Sequence, residues 1–173
     1  LPEIVAAALS DSVEATHRAG EIPLIDAERV TLEALRHSIL TGLAEEFGSE
    51  FGEVRGAPLR NSVQLEPATD YLARDDYQEE HRRGEVLVAA FMHAFLALWR
   101  GRIEALGTFG GRYNRNMVVD EGAKVADHLL TMAIRALDYC PPTDMDFSAY
   151  LAALLTADAE VVPADVHGYR ATV

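Results

Sequence analysis

One stretch governs the fold: RGEVLVAAFMHAFLALWRGRIEAL, from Arg83 to Leu106. It is too long for a strand, since strands rarely pass ten residues. Between Val86 and Trp99 only His93 interrupts the apolar side chains. A helix that is apolar on every side must be enclosed by other elements. The spacing therefore predicts a buried central helix over 83–106, with the rest of the chain wrapped around it. The uncharged run Val86 to Trp99 falls short of the roughly 20 residues a bilayer span needs, so no membrane partner is expected.

Four more helices are predicted around it. Pro2 fits a first turn, and Ile4, Val5, Ala8, Leu9 and Val13 follow at helical spacing until about Gly20. Asp26 is placed to cap a second helix carrying Val30, Leu32, Leu35, Ile39, Leu40 and Leu43, which ends at Phe47 before Gly48. From Gly48 to Glu80 the periodicity dissolves, with at most a short helix around Leu59 to Val63, and so long a connection is often functional. After a glycine-rich break, GTFGGRYNRN, a helix over Val118 to Tyr139 sets Val125, Leu129, Met132, Ala133, Ala136 and Leu137 on one face. CPPTD stops it, and Asp146 caps a last helix from Phe147 to about Ala157. The tail, EVVPADVHGYRATV, reads as a connection. The expectation is an all-α fold of about five helices in one domain, 1–173, with little or no sheet.

Charge excludes several functions. Of 173 residues, 28 are acidic and 15 basic, giving a net charge of -13. Such a field repels a phosphate backbone or an anionic membrane surface, so no nucleic-acid partner is expected. A single cysteine, Cys140, allows no internal disulfide, which fits a reducing compartment and slightly favours the cytoplasm. Leu-Pro at the start and HGYRATV at the end read as cut ends, and a fragment of a longer protein is expected.

Six histidines are present, at 17, 37, 81, 93, 128 and 167. None lies in H-E-x-x-H and none pairs with another four residues away, so no helical zinc clamp is encoded. One cysteine rules out CxxC, and no G-x-S-x-G elbow exists. His93 and His128 fall within predicted helices and read as packed or hydrogen-bonded there. Glu85 reads as a first-turn carboxylate that complements the helix dipole.

What remains is EEHRRGEVLVAAF, where His81 stands at the mouth of the long helix, together with GAPLRNSVQLEP upstream. The H-x-x-G-E-V step opening an apolar helix resembles the thermolysin and fungalysin group of zinc metallopeptidases, the gluzincins. Leu59-Arg60 followed by Glu66-Pro67 resembles the pattern upstream of that group's histidine. The run AIRALDYCPPTDMDFSAYLAALLTAD is similar to the tail of bacterial relatives of the group. The resemblance extends from Leu43 onward and implies a thermolysin-like C-terminal helical subdomain.

It also implies roles. His81 would match the histidine that donates to the oxyanion of the tetrahedral intermediate, and Asp76 the carboxylate that orients it, with Asp75 as the alternative. Arg60 would match the arginine that binds a substrate carbonyl. The chemistry suits these types: a carbonyl under attack gains negative charge that a preorganised donor stabilises, and arginine offers a fixed fork of donors. The zinc helix and the third ligand of the family are missing and would precede Leu1 in family order. Zinc is thus expected in the complete enzyme, with no metal ligand here, and the isolated chain is expected to be inactive. The implied partners are a peptide or protein substrate and the missing zinc-binding half. Two other readings stay open: a non-catalytic helical interaction module derived from such a fold, and an unrelated helical bundle.

Overall fold

The long apolar stretch does form a helix, α1, spanning Glu80–Glu104. The computed structural model describes residues 22–37, 65–66, 68 and 70–173. Helix α1 begins three residues earlier than its apolar pattern, because Glu79 caps it. The Glu79 backbone is extended and its carboxylate accepts from the Arg82 N–H at 3.0 Å. A glutamate is an uncommon cap, so the sequence hides this start. At the other end Leu106 N–H donates to the Ile103 carbonyl, and Gly107 takes a positive φ of 71° that turns the chain away.

Helix α2, Arg115–Ala136, is capped by Asn114, whose side chain accepts from Asn116 and Met117. Val118, Gly122, Val125, Leu129, Met132 and Ala136 recur every three or four residues and are all buried. This face packs against α1, and Trp99 Nε1 donates to the Val118 carbonyl at 2.8 Å across the contact. Trp99, Ile103, Val118 and Val125 are fully enclosed and form the centre of the core. After the 3₁₀ turn Leu137–Tyr139, Asp146 caps α3, Phe147–Val161, by accepting from Ala149 N–H at 2.7 Å. Helix α3 lies on α2 through Ala153, Leu154, Ala157 and Asp158. A last turn, α4, Tyr169–Thr172, packs on α1.

The fold is all-α, with one small addition. Strand β1, Leu24–Asp26, pairs antiparallel with β2, Arg112–Asn114, aligning Ile25 with Tyr113 and Asp26 with Arg112. The glycine-rich break supplies the turn. Phe109 and Arg112 exchange both backbone hydrogen bonds, while Gly110 and Gly111 take φ of 59° and 79°. Two successive positive φ values define a type I′ turn, which glycine adopts without strain. Asp26 is therefore not the cap of the second helix. It sits in β1 and pairs with Arg112 Nε at 2.8 Å. Residues 27–30 form a 3₁₀ turn, and Thr31 Oγ1 accepts from Ala34 N–H to start the helical residues 32–37. The predicted first helix and the short helix around Leu59 to Val63 lie outside the described residues.

Burial along α1 is uneven. Ala94, Leu96, Leu98, Trp99 and Ile103 are buried, whereas Val86, Leu87, Val88 and Phe91 are only half-buried. By length and composition, Arg82–Glu104 is a helix long and apolar enough to cross a membrane, although its uncharged run is short. Here its C-terminal half is the core helix, locked to α2 by Trp99 and by the Arg102–Glu121 ion pair.

Candidate functional site

The 3₁₀ segment Asp75–Gln78 delivers the chain to α1. Tyr77 anchors it: the ring is buried, lies 4.8 Å from Tyr71, and has the Arg74 guanidinium over its face at 5.0 Å. Arg83 ties the segment down from the helix, donating from Nε to the Tyr77 carbonyl and from Nη2 to Gln78 Oε1 at 2.6 Å. The approach to α1 is thus held by aromatic packing and arginine forks, not by a broad apolar face.

Asp76 lies on this segment, exposed. Arg74 grips it bidentately, Nε to Oδ1 at 3.1 Å and Nη2 to Oδ2 at 2.8 Å. These hydrogen bonds hold its carboxyl below the ordinary aspartate range. Both oxygens are engaged, yet a carboxylate keeps further lone pairs for another donor. Residue 81 falls in the first turn of α1, five positions beyond Asp76. Free backbone N–H groups at a helix start favour negative charge nearby. Arg60 lies outside the described residues. So Asp76 and His81 occupy neighbouring elements joined by a fixed connection, and Arg60 has no described place beside them.

Sequence reasoning passed over a second polar cluster, formed by α2, α3 and α4. Asp158, on the inner face of α3, has a side chain only 1% exposed. His128 of α2 donates to it from Nε2 at 2.5 Å, and Arg170 of α4 from Nη1 at 2.7 Å. Arg170 also reaches the Val162 and Pro163 carbonyls, so one guanidinium binds the end of α3 to α4. Asp165 caps α4 by accepting from the Tyr169 and Arg170 N–H groups at 2.7 and 2.9 Å. The Tyr169 ring stacks on His128 with centroids 3.8 Å apart and planes 12° from parallel. A buried carboxylate that accepts from both a histidine and an arginine is well satisfied. The signal for it was weak: Asp158 stands in TADAEVV and its partners are 30 and 12 positions away.

A third group joins α1 to α2. Arg102 of α1 donates from Nε to Glu121 Oε2 at 2.5 Å, and Lys124 reaches Oε1 at 2.6 Å. Burial pushes the Glu121 carboxyl up, but the Lys124 and Arg102 hydrogen bonds outweigh it and leave the group below the ordinary range.

An apolar groove of about 250 Å³ runs between α1 and α3, lined by Tyr71, Leu87, Ala90, Phe91, Phe147 and Leu154. His93 donates from Nε2 to the Leu65 carbonyl at 2.7 Å, which fits its reading as a hydrogen-bonded helix histidine. Among the described residues no group of three or more histidine, cysteine, aspartate or glutamate side chains gathers in a way that could hold a metal ion.

Comparison with protein-family models, curated proteins and solved structures returns no match. The fold is all-α, with a fixed polar approach to helix α1.

Proposed function

We propose that this chain is the C-terminal helical part of a zinc-dependent metallopeptidase. In this reading it forms one wall of the cleft and stabilises the tetrahedral intermediate of peptide-bond hydrolysis. What supports it is the placement of His81 in the first turn of α1, directly after the 3₁₀ segment carrying Asp76. The Arg83 and Tyr77 contacts fix that connection, as a preorganised donor requires.

The described residues do not fit a zinc shell, and no step here runs through a metal on this chain. The chain's own part is to donate from His81 to the oxygen that gains charge and to keep that donor oriented through Asp76. Arg60 holds a neighbouring substrate carbonyl. Peptide or protein substrate and the zinc-binding half are the partners this requires.

The test uses the full-length polypeptide. His81→Ala should lower kcat by about 10²–10³, the cost of one lost oxyanion donor, with zinc content and helicity unchanged. Arg60→Ala should weaken substrate binding as well as turnover. A His81→Ala enzyme with unaltered peptidase activity would overturn the assignment and leave a helix start with ordinary polar trimming.

A further inference from the structure

Helices α2 and α3 enclose a recess of about 290 Å³ that the peptidase reading leaves unused. His128 and Asp158 stand in its wall, together with Lys124, Asp127 and Arg135 of α2. Lys124 and Arg135 lie four positions before and seven after His128, so the three share one face of the helix. No residue of the recess belongs to the approach to α1.

The imidazole is fixed in place and in tautomer. Asp158 accepts from its Nε2 at 2.5 Å, and Arg170 holds the other carboxylate oxygen at 2.7 Å. The Tyr169 ring, stacked at 3.8 Å, keeps the imidazole from turning. A carboxylate can only accept, so Nε2 carries the proton and Nδ1 keeps its lone pair. Nδ1 makes no hydrogen bond among the described residues, and it is not a sealed atom, since the side chain is 23% exposed. A basic nitrogen is thus open beside the recess, with a buried negative charge behind the ring to meet any positive charge it acquires. Imidazole in this state is a nucleophile.

The neighbouring charges select the electrophile. Lys124 spends one donor on Glu121 at 2.6 Å and keeps two more. Arg135 Nη1 stands 3.8 Å from Asp138, too far for a hydrogen bond, so its fork keeps its donors. These two cations stand against Asp127 and against Asp158, whose charge Arg170 already meets. Cationic donors beside a nucleophile suit a phosphoryl group, whose oxygens stay charged throughout transfer. We propose that His128 Nδ1 accepts a phosphoryl group from a small activated donor, an acyl phosphate or a phosphoramidate. The Nδ1–P bond forms as the bond from phosphorus to the leaving group breaks, and that group departs with the electron pair. From acetyl phosphate it is acetate; from phosphoramidate it is ammonia, whose nitrogen already carries the proton. Nε2 keeps its own proton, and Asp158 stabilises the positive ring.

The folded chain is incubated with potassium phosphoramidate or acetyl phosphate, and the modified residue is mapped by mass spectrometry in alkali, where phosphohistidine survives. The expected result is one phosphoryl group per chain, on His128 ahead of the other five histidines; the faster donor names the class. This mapping uses the wild type and needs no variant to fold. Nitrogen NMR of the ring at mildly alkaline pH should show the Nε2–H tautomer. Lys124→Gln combined with Arg135→Gln changes two exposed side chains and should fold. It should slow the transfer by about tenfold or more, the fold-change of one hydrogen bond to a charged group. His128→Gln should abolish it. No transfer from either donor, transfer spread evenly over the histidines, or an Nδ1–H tautomer would overturn the proposal. So would an unchanged rate in the double variant.

Discussion

Asp158→Asn is a nearly isosteric change that strips one charge from the C-terminal network. In the wild type both oxygens are occupied, Oδ1 by His128 and Oδ2 by Arg170. Asparagine keeps the shape but presents an amide nitrogen to one of two donors and leaves the Arg170 guanidinium without its close counter-ion. Removing one member of a buried pair costs about 3–5 kcal/mol. Two features moderate this. His128 and Arg170 are each 23% exposed, so water reaches them, and Asp165 remains 3.9 Å from Arg170 Nε. The expected loss therefore falls below that range, at about 2–3 kcal/mol. For a domain of this size that lowers Tm by roughly 5–10 °C. Urea unfolding followed at 222 nm gives the free energy directly, with an unchanged m-value showing that the denatured state is the same. Asp158→Asn combined with His128→Ala should cost less than the two single changes added together, because the partners share one carboxylate. A loss below about 0.5 kcal/mol, the range of an ordinary surface change, would refute the view that this carboxylate locks α2, α3 and α4 together.

Asp146→Ala removes the α3 cap and should cost about 1 kcal/mol, read by the same unfolding curves; an unchanged curve would show that the Ala149 N–H finds another acceptor. Glu121 carries a pH signature. Its folded carboxyl lies below the ordinary value of 4.5, so its contribution is fully present above that value and fades as pH falls through the lower, folded one. The stability gap between wild type and Glu121→Gln should be constant near neutrality and shrink as acid is added below pH 4.5. A gap that widened in acid would reverse the sign and contradict the Arg102–Glu121–Lys124 grouping.

The helices were legible where the information is local. Val125, Leu129, Met132 and Ala136 announce α2 by spacing alone, and Asp146 is both the expected and the observed cap of α3. The start of α1 was not legible to the residue, because the cap is Glu79 and glutamate rarely serves as one. Strand β2 hid inside a glycine-rich stretch. Its signal was the pair Gly110-Gly111, a combination favoured in type I′ hairpin turns, but three-residue strands carry too little alternation to show themselves. Asp26 was misassigned as a cap because a strand-end aspartate and a helix cap look alike until the partner, Arg112, is brought across. The Asp158 cluster is non-local by nature: α2, α3 and α4 each give one member, and the partners of Asp158 lie 30 and 12 positions away. Of the residues singled out in advance, His81 and Asp76 fall on adjoining elements. Their roles rest on chemistry and resemblance.

The small β1–β2 ribbon also bears on the order in which the chain assembles. Asp26 and Arg112 are 86 positions apart, whereas α2 and α3 meet across the short connection 137–146. Each doubling of a closed loop costs about 0.6 kcal/mol in chain entropy, so bringing the ribbon together costs about 2 kcal/mol more than closing the α2–α3 hairpin. Little is gained in return until Tyr113 and Ile25 find the core already formed by Trp99 and Val118. The ribbon is thus the late seam of the fold. Opening it would pull on Ile25, Val30 and Leu35, which are buried in the same core.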